Sequence, residues 1–172
     1  LAARIADQFG LPGGTLRTVQ ELIDNDEDFA VEFKSTARWD LHEQRKNKAM
    51  EDVVVKTVAG FLNSDGGTLL IGVGPDRSVV GLECDYAVVK HRNGDGFVLW
   101  LTDHLVNALG HTPVTRTRAR IVVHDGKEIC RVDVAASWIR STMSGWEQPT
   151  CATDGACVQN CATPDQDCVC AA

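Results

Sequence analysis

Residues 58–73, VAGFLNSDGGTLLIGV, constrain the fold more than any other stretch of this chain. The apolar residues before Asn63 recur at helical spacing, and the run from Thr68 to Val73 is almost continuously apolar. Between them, Gly66 and Gly67 can adopt positive φ without a Cβ penalty, which ends a helix and turns the chain. The stretch therefore predicts a helix that leads directly into a central, buried strand.

The remaining pattern predicts an α+β fold. We expect helices over residues 15–23, with Thr15 as the cap, 43–62 and 96–109, and strands over 29–34, 68–73, 78–82, 116–124 and 127–134. Asp125-Gly126 is a strong two-residue hairpin signal between the last two strands. Because long parallel crossovers are few, we expect a mixed, mostly antiparallel sheet, in the order β-α-ββ-α-ββ, with two main helices packed on it.

Charge limits the kind of partner that the chain can bind. Its 172 residues carry a formal net charge of −7, whereas a strong nonspecific duplex binder has an excess of basic residues. Any contact with nucleic acid must therefore come from a local basic patch. The acidic balance also permits a divalent metal site, although such a balance is more often simply an ordinary soluble surface.

The chain shows no sign of a membrane partner, since no apolar run approaches the roughly 18 residues that span a bilayer. The N-terminus does not show basic residues followed by an apolar run, which is the pattern of a secretory signal peptide. We therefore predict a cytoplasmic location. Because the first residue is Leu1 rather than Met, we expect a fragment of a longer protein.

We predict three segments: an N-terminal fragment or linker over 1–17, a domain over 18–137, and an irregular, cysteine-rich tail over 138–172. The tail contains five of the seven cysteines, at positions 151, 157, 161, 168 and 170. Their spacing matches neither C-x-x-C nor a zinc site, which leaves a disulfide knot, a soft-metal site, or a disordered or aberrant extension. Composition favours the last, so truncation after Ser137 should preserve the core fold.

Carboxylates in EDFAVEFKST, residues 27–36, are the first candidate site. Glu27 and Glu32 lie five residues apart, and strand alternation places Glu32 on the same face as Lys34. Two neighbouring carboxylates can bind a divalent cation, which orients a phosphate and activates water. The alternative is structural: Glu27 is a solvated loop residue, and Glu32 forms an ion pair with Lys34 or Arg38.

Arginines spaced two apart are the second candidate site. Arg116, Arg118 and Arg120 project from one face if they lie on a strand, and guanidinium groups match phosphate geometry with two parallel donors. The basic residues that would extend this patch, if the fold brings them near, are Lys34, Arg38, Lys90, His91 and Arg92. The alternative is an edge strand that uses charge to prevent aggregation.

Five segments occur in the order in which they occur in Schlafen AlbA_2 proteins: EFKS, KTVAGFLNSDGGTLLIGV, VVGLE, DGFVLWLTDHL and GKEICRVDV. The chain resembles that family over about residues 18–137. The resemblance implies a nucleic-acid-binding domain of a bacterial transcription regulator, carried on a larger protein.

The resemblance also implies a carboxylate site. Nucleolytic Schlafen proteins have two glutamates five apart and a third acid after the buried strand. Carried onto this sequence, these are Glu27, Glu32 and Asp76, which would be catalytic and would hold Mg²⁺ or Mn²⁺ if the domain is a nuclease. Here Gly74 and Pro75 stand between the strand and Asp76, which departs from the family pattern.

The leading prediction is a nucleic-acid-binding module of a larger regulatory or defence protein, without a cofactor. It would contact phosphates of DNA or RNA through five basic residues, Lys34, Arg38, Arg116, Arg118 and Arg120. The first alternative is a metal-dependent endoribonuclease that uses the carboxylates. The second is a protein-interaction scaffold without nucleic acid, which would use helix 96–109 if Val98 and Leu99 are exposed; a homo-oligomer is then one outcome.

Overall fold

The computed structural model describes residues 17–25 and 29–137 of the chain. The described helices are α1 (Val19–Asp24), α2 (Lys48–Leu62), α3 (Glu83–Tyr86), α4 (Gly94–Leu109) and α5 (His111–Val114). The strands are β1 (Val31–Lys34), β2 (Trp39–Asp40), β3 (Arg45–Lys46), β4 (Gly66–Ile71), β5 (Thr117–His124) and β6 (Lys127–Ala135). Three expectations lie outside the described residues: the Thr15 cap, the Glu27 carboxylate and the properties of the 138–172 tail.

A four-stranded sheet in the order β1-β4-β6-β5 forms the centre of the domain. The β1–β4 pair is parallel, whereas β4–β6 and β5–β6 are antiparallel. Strands β2 and β3 form a separate two-stranded hairpin. The predicted α+β class, with a mixed and mostly antiparallel sheet and two main helices packed on it, is confirmed.

The larger core lies on one face of this sheet, where α2 and α4 pack. The fully buried side chains there come from both helices and from the two central strands, and they include Val54, Val58, Leu62, Leu69, Ile71, Phe97, Leu101, Leu105 and Val132. Their spacing along each helix produces one apolar stripe that faces the sheet. This burial is the main source of stability for the domain.

A smaller core lies on the opposite face, under α1. Leu22 and Ile23 of α1 pack with Val31, Leu70 and Ile129 of the sheet. The helix begins at Val19, and Thr18 is its N-cap and forms a capping box with Glu21. Helices therefore cover both faces of the sheet.

Local pairing explains where the other boundaries differ from the predicted ones. Helix α2 begins at Lys48 instead of residue 43 because Arg45–Lys46 pair with Trp39–Asp40, and Asn47 then caps the helix. The expected return strand over 78–82 is reduced to a single antiparallel bridge after β4. Residues 84–95, which lie outside the predicted helices and strands, include part of α3 and the start of α4. None of the described helices combines the length and apolar character needed to cross a membrane.

A buried carboxylate fastens α3 to the chain that follows β1. The side chain of Asp85 is fully buried and accepts hydrogen bonds from the backbone N–H groups of Ala37, Arg38 and Trp39 at 2.9, 2.8 and 3.1 Å. Burial raises the pKa of Asp85, while the three N–H donors favour its charged form. The contact fixes the backbone from which the Arg38 side chain extends.

Candidate nucleic-acid interface

Two of the predicted arginines lie side by side on β5, which is an edge strand of the sheet. Arg118 is opposite Asp133 of β6, and Arg120 is opposite Arg131. This register places both arginines on the face that α1 covers, because Arg131 is opposite Leu70 of the α1 core. Arg118 is exposed, and 42% of the Arg120 side chain is exposed. The pair can therefore be reached from solvent.

Arg116 differs from the other two arginines because it precedes the first residue of β5. It is half-buried, and its Nε donates a hydrogen bond to the carbonyl oxygen of Ala136 at 3.1 Å. Its backbone carbonyl accepts from the N–H of Ala135. These contacts hold the end of the β5–β6 pair together, so Arg116 has a structural role.

The carboxylate of Asp133 organises the arginines on β5 and β6. Nε of Arg131 donates to both of its oxygens, at 2.8 and 3.1 Å. Its Oδ2 also lies 3.0 Å from Nη2 of Arg120. The buried Arg131 donates in addition to the carbonyl oxygen of Arg17, just before α1, at 2.6 Å. One carboxylate is thus shared by two guanidinium groups.

The sequence analysis did not consider Arg131, although CRVDV carries a signal for it. Arg131 and Asp133 are two apart in an otherwise apolar strand, which places both on one face. Charged residues are rarely fully buried unless they are paired, so this spacing indicates an internal ion pair. The arginine cluster is therefore Arg118, Arg120 and Arg131 around Asp133.

The structure separates Lys34 from the arginine cluster, contrary to the expectation that it extends the same patch. Lys34 is opposite Ile71 of β4, and Ile71 is opposite Cys130, which places Lys34 on the face of α2 and α4. Its strand, β1, is also the other edge of the sheet. Its Nζ forms an ion pair with Oε1 of Glu32, as the structural alternative anticipated.

Arg38 is also apart from the arginine cluster, because it is buried beside α4. Its Nε lies 2.8 Å from Oε1 of Glu51, and its Nη1 donates to the carbonyl oxygen of Val88 at 2.8 Å. The guanidinium carbon lies 4.3 Å from the centre of the Trp100 ring. Lys90 and His91 line the same cleft as Arg38, so these three basic residues do come together, but at a second location.

The predicted carboxylate site is only partly described. Glu32 is engaged by Lys34, and Asp76 lies in the exposed turn after β4. Hydrogen bonds from the side chain and backbone of Ser78 lower the pKa of Asp76, whose Oδ1 accepts them at 2.6 and 3.1 Å. Within residues 17–25 and 29–137, no three His, Cys, Asp or Glu side chains form a group that could hold a metal ion. With Glu27 outside those ranges, the site stays a prediction.

Parallel pairing does bring the Asp76 turn to the end of β1. The N–H of Gly72, one residue beyond β4, donates to the carbonyl oxygen of Lys34 at 2.8 Å. A Cβ at Gly74 would lie 2.6 Å from Oδ1 of Asp76 and 3.6 Å from Oγ of Ser35. The segment between β4 and Asp76 therefore lets the carboxylate of Asp76 fold back over Gly74, toward the end of β1.

The fold and the arginine cluster define a small α+β domain with two accessible arginines on an edge strand. The Schlafen AlbA_2 family model matches residues 27–150, and the chain belongs to this family. None of the curated proteins matches it.

Two solved structures are similar to the domain. The N-terminal domain of a RecG-related protein from Nitrosomonas europaea has a TM-score of 0.52 and 22% identity, over 90% of this chain and 95% of that one. The DIP2311 protein from Corynebacterium diphtheriae has a TM-score of 0.48 and 18% identity, over 72% of this chain. The match spans only 22% of the DIP2311 chain.

Proposed function

We propose that this chain is a nucleic-acid-binding module of a larger regulatory or defence protein, and that it contacts phosphates through Arg118 and Arg120. Membership of the Schlafen AlbA_2 family supports a nucleic-acid-related domain. The similar RecG-related domain is by its description an N-terminal part of a longer protein, which supports the modular arrangement.

The observation that carries the proposal is the accessible arginine pair on β5. A guanidinium group presents a planar fork of donors that matches two phosphate oxygens, and side chains two apart on a strand lie about 7 Å apart, close to the spacing of phosphates along a single strand. Asp133 holds Arg120 in place while Arg118 remains exposed. The pair is therefore partly ordered before a phosphate arrives, which reduces the entropy cost of binding.

Removing both guanidinium groups should weaken binding and reduce its dependence on salt. We expect Arg118→Ala/Arg120→Ala to lower the slope of log affinity against log salt by about 2, if each arginine contacts one phosphate. The fold should survive, because Asp133 keeps both hydrogen bonds from Arg131. Fluorescence anisotropy with short RNA and DNA strands, at rising salt, measures the slope and shows which nucleic acid is preferred.

Arg45→Ala/Lys56→Ala is the matched control, since it removes the same charge from two exposed positions elsewhere. It should reduce binding only through the general loss of positive charge. Arg118→Lys/Arg120→Lys should keep most of the salt slope but bind less tightly, because lysine cannot form the two-pronged contact. A wild-type chain that binds neither nucleic acid at low salt would contradict the proposed function. A double alanine variant that behaves like the control would assign binding to another surface.

The same preparations separate binding from cleavage. A module that only binds leaves tRNA intact in the presence of Mg²⁺ or Mn²⁺. Cleavage that disappears in Glu32→Ala would instead support the endoribonuclease alternative, whereas cleavage that persists in Glu32→Ala would come from another site or a contaminant. The scaffold alternative has little support from α4, because Leu99 is 55% exposed but Val98 is half-buried, and a single exposed leucine is ordinary on a protein surface.

A further inference from the structure

A cleft of about 450 Å³ opens along α4, away from the arginine cluster. Its volume lies within the range of about 300–1,000 Å³ that is typical of small-molecule sites. The lining combines aromatic and basic side chains, among them Arg38, Lys90, His91, Trp100 and His104. This mixture suits a ligand that is both planar and anionic.

Trp100 and His104 form an aromatic wall in the cleft. Their rings are nearly parallel, with an interplanar angle of 18° and centroids 5.5 Å apart. Phe97 packs against Trp100 from the core, with ring centroids 5.4 Å apart, and this contact restricts the orientation of the indole. A braced aromatic wall offers a stacking surface for a planar ring, and nucleic-acid bases stack on such surfaces with little dependence on sequence.

The basic residues stand next to this wall. Arg38 is held by Glu51 and by the carbonyl of Val88, and within the described part of the chain its Nη2 has no hydrogen-bond partner. Lys90 and His91 are exposed on the loop before α4. Asp103 is the acidic residue in the lining. A donor set of this kind, beside a stacking surface, matches the phosphate and base of one nucleotide.

The Trp100 ring is itself covered by the Arg38 guanidinium group at 4.3 Å and by the His104 ring, so the ring at the end of this stack is that of His104. We infer that the cleft beside α4 binds an unpaired nucleotide of single-stranded RNA or DNA, with the base against His104, which Trp100 supports, and the phosphate near Arg38 and Lys90. The inference rests on the proposed function and adds a preference for single strands to it. A base must leave its stack and its partner before it can enter such a cleft, which is costly in a duplex. The first turn of α4 lies beside Ile121 of β5, which is on the sheet face opposite Arg120.

The variant Lys90→Ala/His91→Ala tests the cleft with little risk to the fold, because both residues are exposed. We expect it to bind a short single strand about tenfold more weakly, while binding of the duplex of the same sequence falls no further than in the control. The control is His42→Ala/Lys56→Ala, which removes the same residue types from exposed positions outside the cleft. Fluorescence anisotropy of labelled single-stranded RNA, single-stranded DNA and the duplex measures the affinity of each variant for each nucleic acid.

Trp100→Leu tests the wall directly. It keeps an apolar side chain against the core, and we expect roughly tenfold weaker binding of the single strand. Wild-type tryptophan fluorescence should also fall when the strand binds, and most of this change should be absent from the variant. If Trp100→Leu does not fold, as judged by circular dichroism, the Lys90→Ala/His91→Ala variant decides the question.

The outcomes separate the two proposals. If the wild-type chain binds no nucleic acid, both the proposed function and the cleft inference fail. If binding depends on Arg118 and Arg120 but the cleft variants bind single strands like the control, only the cleft inference is overturned. Equal loss of single-strand and duplex binding in the cleft variants would likewise overturn it, because the site would not distinguish an unpaired base.

Discussion

Asp85→Ala is expected to lower the free energy of unfolding by about 3 kcal/mol or more, since each buried donor left unsatisfied costs about 1–3 kcal/mol. The substitution removes the acceptor of three backbone N–H groups, those of Ala37, Arg38 and Trp39. Burial of the Asp85 carboxylate is unfavourable, as its raised pKa shows. Removing that buried charge therefore offsets part of the lost stability. Because domains are stable by only about 5–15 kcal/mol, the effect is large. Urea denaturation followed by circular dichroism measures it.

Asp85→Asn and Asp65→Ala sharpen this test. Asparagine retains one acceptor oxygen for the N–H groups of Arg38 and Trp39 but presents a donor to Ala37, so an intermediate loss is expected. Asp65 is exposed in the turn after α2, and its replacement should change stability by no more than about 0.5 kcal/mol. Equal stability of Asp85→Ala and Asp65→Ala would show that the three N–H groups find other partners.

Gly96→Ala is expected to destabilise the domain by about 3 kcal/mol, the upper end of the usual cost of overpacking. A Cβ at this position in the first turn of α4 would lie 1.9 Å from the carbonyl oxygen of His91 and 2.6 Å from its Cβ. The obstacle is largely backbone, so the loop before α4 must move. Thermal unfolding should show a midpoint lower by about 12 °C, at about 4 °C for each kcal/mol, which is the value between those of smaller and larger domains.

Gly60→Ala provides the opposite control within the other main helix. Gly60 is exposed in α2, and no heavy atom lies within 4 Å of the added Cβ. Alanine there should stabilise the chain by about 0.4–1 kcal/mol, mainly by restricting the unfolded chain. A Gly96→Ala variant that matches Gly60→Ala in stability would contradict the close approach of the His91 backbone to α4.

The sequence was sufficient where the structure depends on local signals. Asp125-Gly126 predicted the β5–β6 hairpin, and the helical spacing before Asn63 predicted the end of α2. Boundaries moved where tertiary contacts compete with local preference. The β2–β3 pair takes Arg45 and Lys46 out of the expected helix, and this pairing has no strong signal in the sequence.

The candidate site was harder to predict because it depends on strand order. Alternation correctly placed Arg118 and Arg120 on one face, and Glu32 beside Lys34. The face and the edge of the sheet on which each residue lies follow only from the strand order β1-β4-β6-β5 and its register. This order puts Lys34 and the arginines on opposite edges and opposite faces. The cleft beside α4 was not predicted. Tertiary packing, rather than sequence spacing, brings Arg38, Lys90 and Trp100 together.

The pairing of the two central strands has a consequence for the order in which the chain folds. In the β4–β6 pair, Gly66 is paired with Ala135 and Ile71 with Cys130. The chain that connects β4 to β6 therefore contains α3, α4, α5 and β5. Closing so long a loop costs more entropy than closing the β5–β6 hairpin over its two-residue turn. Non-local pairing of this kind slows folding. The hairpin and α4 are therefore expected to form early, and β4, followed by its parallel neighbour β1, to join a partly built sheet in the rate-limiting step.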